Sequence, residues 1–176
     1  FFSRTALMYI YMGDETFEQT KPYEDWFWEK NRIQLVRDRV DHVDPHSKKV
    51  HLQNGNRELS YDKLLLATGS KSNFFGWPGQ DLEGVQGLYS YQDLENMEHY
   101  TQGIDRAIVV GGGLIGVDLA EMLDSREIPA TYLVRETGFA EHLVPQPEST
   151  LISDHTLEHG IDLRLETEIT EILGDD

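Results

Sequence analysis

Gly111, Gly113 and Gly116 fall within AIVVGGGLIGVDLAEML, residues 107–123, at a G-x-G-x-x-G spacing. Three glycines so placed suit the pyrophosphate of a dinucleotide. The first permits a tight turn, the second lets the backbone approach the phosphates, and the third lets helix and strand pack closely, so that the helix amino end faces the anion. The spacing alone is a weak signal. Here it follows RAIVV, which reads as a buried strand, and it opens a helix whose Leu114, Val117, Ala120 and Leu123 share one face. A glycine turn that serves packing alone is the minority reading. About 20 residues beyond the last glycine, an acidic side chain would accept the adenosine ribose hydroxyl of NAD. Val134 and Arg135 occupy that place instead. A planar guanidinium there can pair with a 2′-phosphate, which points to NADPH. The alternative leaves Arg135 in solvent and gives the ribose to Glu136.

These residues need a scaffold, and the pattern from residue 106 onward supplies one. It predicts strand, glycine turn, helix over 114–127, strand over 130–135, helix over 147–159 closed by Gly160, and strand over 161–165. Such alternation implies a Rossmann-like, doubly wound parallel α/β sheet. The first part of the chain reads differently. KPYEDWFWEKN, residues 21–31, predicts an amphipathic helix with Trp26, Phe27 and Trp28 in the core. Residues 33–44 and 48–60 alternate apolar and polar positions, and Asn54-Gly55 marks a hairpin, so an antiparallel β-meander is expected. YDKLLLATGS, residues 61–70, carries the continuous apolar run of a strand buried on both faces. Turn formers dominate 71–102, with a short helix near SYQDLENMEHY. The expected organisation is one domain over 1–78, a connection over 79–102 and a nucleotide-binding domain over 103–176.

Composition narrows the chemistry. Fifteen basic against 32 acidic residues give a formal charge of −17, which argues against nucleic acid or an anionic membrane as the main partner. There is no cysteine, hence no disulfide, thiolate metal site or redox dithiol in this chain, and redox chemistry would reside in a bound cofactor. No apolar run reaches membrane-span length and no signal-peptide pattern is seen, so a cytoplasmic setting is the default expectation. The seven histidines, at 42, 46, 51, 99, 142, 155 and 159, follow no metal-site spacing. His155 and His159 stand i,i+4 without the glutamate of the metalloprotease pattern, and they read as a solvated helix end. No metal is expected, and no nucleophile elbow supports hydrolysis. The chain opens inside an apolar run without an initiator Met and closes just after a strand, so it is expected to be a piece of a longer protein.

YDKLLLATGS, WPGQDLEGVQGLY, AIVVGGGLIGVDLAEML and ATYLVRE together resemble the FAD-dependent pyridine nucleotide-disulfide oxidoreductases, in that family's order and spacing. Within it, the cysteine-free opening is more similar to the rubredoxin, ferredoxin and nitrite reductase NAD(P)H branch than to the glutathione reductase branch. The resemblance implies that 1–78 is the later part of an FAD-binding domain and that 103–176 is most of an NAD(P)H-binding domain. It also implies roles for single residues. Thr68 and Gly69 would end the strand beside the FAD pyrophosphate, or be a strand terminus only. Val40 would meet adenine through its backbone, or be a core residue only. Arg4 in FSRTAL matches an arginine near the flavin, Ile115 would line the nicotinamide pocket, and Asp118 would neighbour the nicotinamide. A second explanation of Asp118 is a first-turn carboxylate stabilising the helix dipole. Thr5 stands where disulfide and NADH oxidases carry their redox cysteine, which removes that thiol chemistry. Tyr9 stands where the reductase branch often has a lysine paired with the carboxylate at position 118.

The expected function is therefore hydride transfer from NAD(P)H to FAD, with electrons passing to an external acceptor such as a small redox protein. Self-association stays open. A nucleotide-binding or assembly module without turnover is the alternative from another class, and a flavin-free NAD(P) dehydrogenase ranks third.

Overall fold

A computed structural model describes residues 1–141 and 143–174, and His142 therefore lies outside the described residues. In chain order the elements are α1 (Leu7–Met12), a 3-10 turn (Phe17–Thr20), α2 (Trp26–Lys30), β1 (Val40–Asp44), β2 (Lys49–Leu52), β3 (Glu58–Ser60), α3 (Tyr91–Tyr100), β4 (Ala107–Val110), α4 (Leu114–Asp124), β5 (Ala130–Leu133), α5 (Gln146–Glu158) and β6 (Asp162–Arg164). The chain forms two compact units. One is Tyr23–Ser70; the other joins Phe1–Pro22 to the chain from Lys71 onward.

In the larger unit, β4, β5 and β6 form a parallel sheet in that order, with Val109 opposite Tyr132 and Tyr132 opposite Leu163. Helices α4 and α5 are the crossovers that parallel pairing requires. β5, the middle strand, is buried along Ala130, Thr131 and Tyr132. Its neighbour β4 lies at the edge, and Ile108 and Val110 are 64% and 43% exposed. The core joins Val109 and Tyr132 to Ala120, Met122 and Leu123 of α4, Leu94 and Met97 of α3, and Leu7 and Tyr11 of α1. α3 begins with a reciprocal cap: the Asp93 amide donates to Ser90 Oγ, and the Ser90 amide donates to the Asp93 carboxylate at 2.7 Å.

The smaller unit is the predicted antiparallel meander, ordered β1-β2-β3, with the Asn54-Gly55 turn between β2 and β3. Val50 and Leu52 point to the buried face; His51 points the other way and stacks on His42 at 4.0 Å between ring centres.

Three expectations fail here, each for a physical reason. Residues 33–39 are not strand. Val40 pairs with Leu52, and beyond Leu52 the partner chain enters its turn, so the pairing ends with the Gln53 amide donating to the Arg39 carbonyl at 2.8 Å and the residues before Arg39 have no ladder to join. Residues 64–67 are not strand either. The run meets no partner strand among the described residues, and Leu64, Leu65 and Leu66 are 39%, 87% and 71% exposed. Finally, the helix predicted over 21–31 shortens to Trp26–Lys30, none of whose residues is fully buried. Phe27 stacks on Tyr23 at 3.9 Å and meets Trp28 edge-on at 5.3 Å. Trp26 is 59% exposed, beneath the Lys30 ammonium, and is no core residue.

Candidate dinucleotide site

The glycine turn forms where the hydrophobic strand β4 ends and α4 begins. Gly111 has φ +111°, a conformation that L side chains rarely adopt, so the tight turn needs glycine there. A Cβ on Gly113, the N-cap of α4, would meet no atom within 4 Å; that open face is where a phosphate can come close to the backbone. Gly116 differs, because a Cβ there would overlap the Gly111 carbonyl oxygen and the Tyr132 hydroxyl. Only glycine lets α4 sit this close to β5. Among the described residues the amides of Gly112 and Gly113 have no acceptor, so two donors stand at the positive end of an 11-residue helix. The turn thus fits a pyrophosphate group.

Around it, Leu114 and Ile115 are exposed on the first turn of α4. Leu114, predicted on the packed face, is 65% exposed, and the buried face runs through Gly116, Ala120 and Leu123. Asp118 is half-buried, and burial, with Glu121 nearby, raises its carboxyl above the ordinary value. It is the fifth residue of α4 and the first turn holds no acidic residue, so the helix-dipole explanation of Asp118 does not apply. Arg135 and Glu136 follow β5 and pair with one another: Arg135 Nη2 donates to Glu136 Oε1 at 2.8 Å. That bond raises the guanidinium pKa further, and the Arg135 side chain remains 68% exposed.

Gly111, Gly113, Ile115, Gly116, Asp118 and Arg135 therefore belong to one constellation at the carboxyl end of the parallel strands. Arg4 lies in the same unit but elsewhere. Its guanidinium sits 4.0 Å over the Tyr89 ring, and Tyr89 lines a cavity of about 510 Å³ together with Lys71, Ser72, Phe74, Gln86 and Asp93. Val40, Thr68 and Gly69 belong to the smaller unit. Val40 is 49% exposed, which removes its reading as a core residue, and with Arg39, Asp41 and Gln53 it lines a cavity of about 320 Å³. Thr68 and Gly69 are exposed on chain that forms no strand, with Gly69 at φ +77°. Among the described residues no group of three or more His, Asp or Glu side chains is placed to hold a metal ion, and no helix is long and apolar enough to cross a membrane.

Sequence reasoning missed Tyr132 and Lys71. Tyr132 left a signal, since a tyrosine inside a fully buried strand must find a partner for its hydroxyl. Lys71 left none beyond its place after Gly69-Ser70.

A strand-turn-helix of this geometry on a parallel sheet defines a Rossmann-type fold. The chain belongs to the pyridine nucleotide-disulphide oxidoreductase family, whose profile matches residues 8–176. It is 29% identical over 177 residues to the nitrite reductase [NAD(P)H] of Bacillus subtilis, covering 99% of this chain and 22% of that protein. It is 32% identical over 108 residues to the NADH-rubredoxin oxidoreductase of Clostridium acetobutylicum, covering 61% of this chain and 27% of that one. In fold it matches a ferredoxin reductase of Rhodopseudomonas palustris with a TM-score of 0.90 at 20% identity, over 99% of this chain and 43% of that one. The chain thus spans less than half the length of these proteins. The fold class and the reductase family expected from the sequence agree with these findings.

Proposed function

We propose that this chain is the nicotinamide-nucleotide-binding part, with a portion of the flavin-binding part, of an FAD-dependent NAD(P)H oxidoreductase. The turn at Gly111–Gly116 carries the reading: an exposed pair of backbone donors at a helix amino end, with the third glycine locked against β5. Bound FAD supplies the hydride acceptor and one-electron outlet that no side chain of this cysteine-free sequence offers. The chain's own residues bind and orient. Gly112 and Gly113 amides hold the pyrophosphate, while Ile115 and Asp118, on the α4 face that follows, flank the nicotinamide. Burial, with Glu121 nearby, raises the Asp118 carboxyl above its ordinary value. Arg4 and Lys71 bring positive charge to the Tyr89 cavity, which suits the flavin side. Val40, which lines its cavity, would offer its backbone to adenine, and Thr68 and Gly69 would serve the FAD phosphates. Electrons leave to an external acceptor, and the relatives named for rubredoxin and nitrite support a small redox carrier or a further redox centre.

The nucleotide preference is for NADPH, through Arg135. The guanidinium must then exchange Glu136 for the 2′-phosphate, a better bidentate partner carrying more charge. Arg135→Glu tests this. NADPH affinity should fall at least tenfold while NADH affinity changes less than threefold; equal loss of both removes Arg135 from the phosphate role. An absorption spectrum of the purified protein after gel filtration tests the flavin. Retained flavin bands reduced by NADPH support the oxidoreductase, whereas dinucleotide binding without any flavin favours a binding module.

A further inference from the structure

We propose that Tyr132 is the positioning residue of the glycine turn, its phenol fixing the peptide that aims the pyrophosphate-binding amides outward. This rests on the reading that the turn binds a dinucleotide. Tyr132 has no exposed surface, and its Oη donates to the Gly111 carbonyl oxygen at 3.0 Å. A trans peptide holds its C=O and N–H antiparallel. With the Gly111 carbonyl drawn down towards β5, the Gly112 N–H must point the other way, out of the core. The next peptide is held likewise. Ala140 N–H donates to the Gly112 carbonyl at 2.7 Å, which turns the Gly113 N–H away from that loop. Val134 closes the floor, since a Cβ on Gly112 would lie 2.6 Å from Val134 Cγ1.

Gly111 sits at a φ reached at no cost by glycine, so the backbone alone does not choose one peptide orientation there. The hydroxyl makes the choice. Phenylalanine at 132 would fill the same space, leave the Gly111 carbonyl without its partner, and let the Gly111–Gly112 peptide rotate. Both dinucleotides share the pyrophosphate, so the loss should be the same for each.

The experiment measures, by titration calorimetry on the purified protein below its unfolding temperature, the Kd of NADP⁺ and of NAD⁺. It compares the wild type with Tyr132→Phe and with Leu94→Val, a core substitution on α3 that serves as a stability control. Tyr132→Phe should bind both dinucleotides about fivefold to tenfold more weakly, the range of one net hydrogen bond. Leu94→Val, with its own drop in Tm, should bind as the wild type does. Binding by Tyr132→Phe within twofold of the wild type overturns the positioning role. An equal loss in Leu94→Val also overturns it, by assigning the effect to general loosening. A wild type that binds neither dinucleotide overturns the nucleotide reading itself, and this inference with it.

Discussion

Replacing Arg126 with methionine should remove a junction among three helices and lower the stability of the larger unit by about 2–3 kcal/mol. Arg126 follows the end of α4. Its Nε donates to the Tyr11 carbonyl at 2.8 Å, its Nη2 reaches the same oxygen, and its guanidinium lies 3.6 Å over the Tyr11 ring. Tyr11 is the penultimate residue of α1, so that carbonyl is one a helix end leaves without an intrahelical partner. The same guanidinium pairs with Glu98 of α3 at 2.5 and 2.6 Å, the two side chains being 32% and 37% exposed. The ion pair is partly solvated and contributes about 0.2–1 kcal/mol. Stacking on a ring contributes about 0.5–2 kcal/mol according to its desolvation. A charged donor to a carbonyl adds about 1.5–3 kcal/mol, and these contributions overlap because one group makes them all. Methionine keeps most of the apolar stem, so the difference isolates the guanidinium. At a few degrees per kcal/mol, thermal unfolding should show a Tm lower by roughly 6–12 °C. Glu98→Gln, which loses the ion pair alone, should lower stability by no more than about 1 kcal/mol, and salt should shrink that effect. A Tm for Arg126→Met within about 1 °C of the wild type would refute the junction. Equal effects of the two substitutions would reduce it to the ion pair.

Three further outcomes follow from single contacts. The Asp118 carboxyl has a folded-state pKa above its unfolded value of 3.8, so the stability it contributes is fully present below 3.8 and is lost as pH rises through the folded pKa. Asp118→Asn should therefore raise Tm at neutral pH and converge with the wild type in acid, and a difference that grows on acidification would contradict the burial of that carboxyl. Gly79 has φ +81° and the Ile172 carbonyl occupies the place of its absent Cβ, so Gly79→Ala should destabilise by at least about 1 kcal/mol. Hydrogen exchange should show faster exchange of the Ile172 amide, which donates to the Pro78 carbonyl at 2.8 Å. Ser149 is 1% exposed and its hydroxyl has no partner among the described residues, so Ser149→Ala should raise stability by about 1 kcal/mol in chemical denaturation.

What the sequence revealed and what it hid divide along the range of the interactions involved. The glycine turn, the alternation of β4, α4, β5, α5 and β6, and the Asn54-Gly55 hairpin were all legible because each is encoded within about a dozen residues. Leu64–Ala67 was misread because an apolar run states a wish for burial but does not supply the strand that would bury it. Trp26 was misread for a related reason: helical periodicity ranks faces only when the helix is long enough to have several, and α2 has five residues. The Tyr132 hydroxyl escaped notice because its partner is a backbone carbonyl 21 residues earlier, and a carbonyl has no signature in a sequence. The pairing of Arg135 with Glu136 was half visible. Arg135 was read as a partner of a 2′-phosphate and Glu136 as the alternative for the ribose, but not as partners of one another.

β4 carries a consequence for how this protein behaves in a tube. Its outer edge bears no neighbouring strand among the described residues, and Ile108 and Val110 are exposed there, so a row of unsatisfied backbone groups lies open beside apolar side chains. The formal charge of −17 opposes the approach of two such edges. Buffers approaching the sequence pI of about 4.6, or salt strong enough to screen the surface, withdraw that protection and turn the edge into a template for intermolecular β-pairing. Light scattering should rise first under those conditions, before any loss of helical signal.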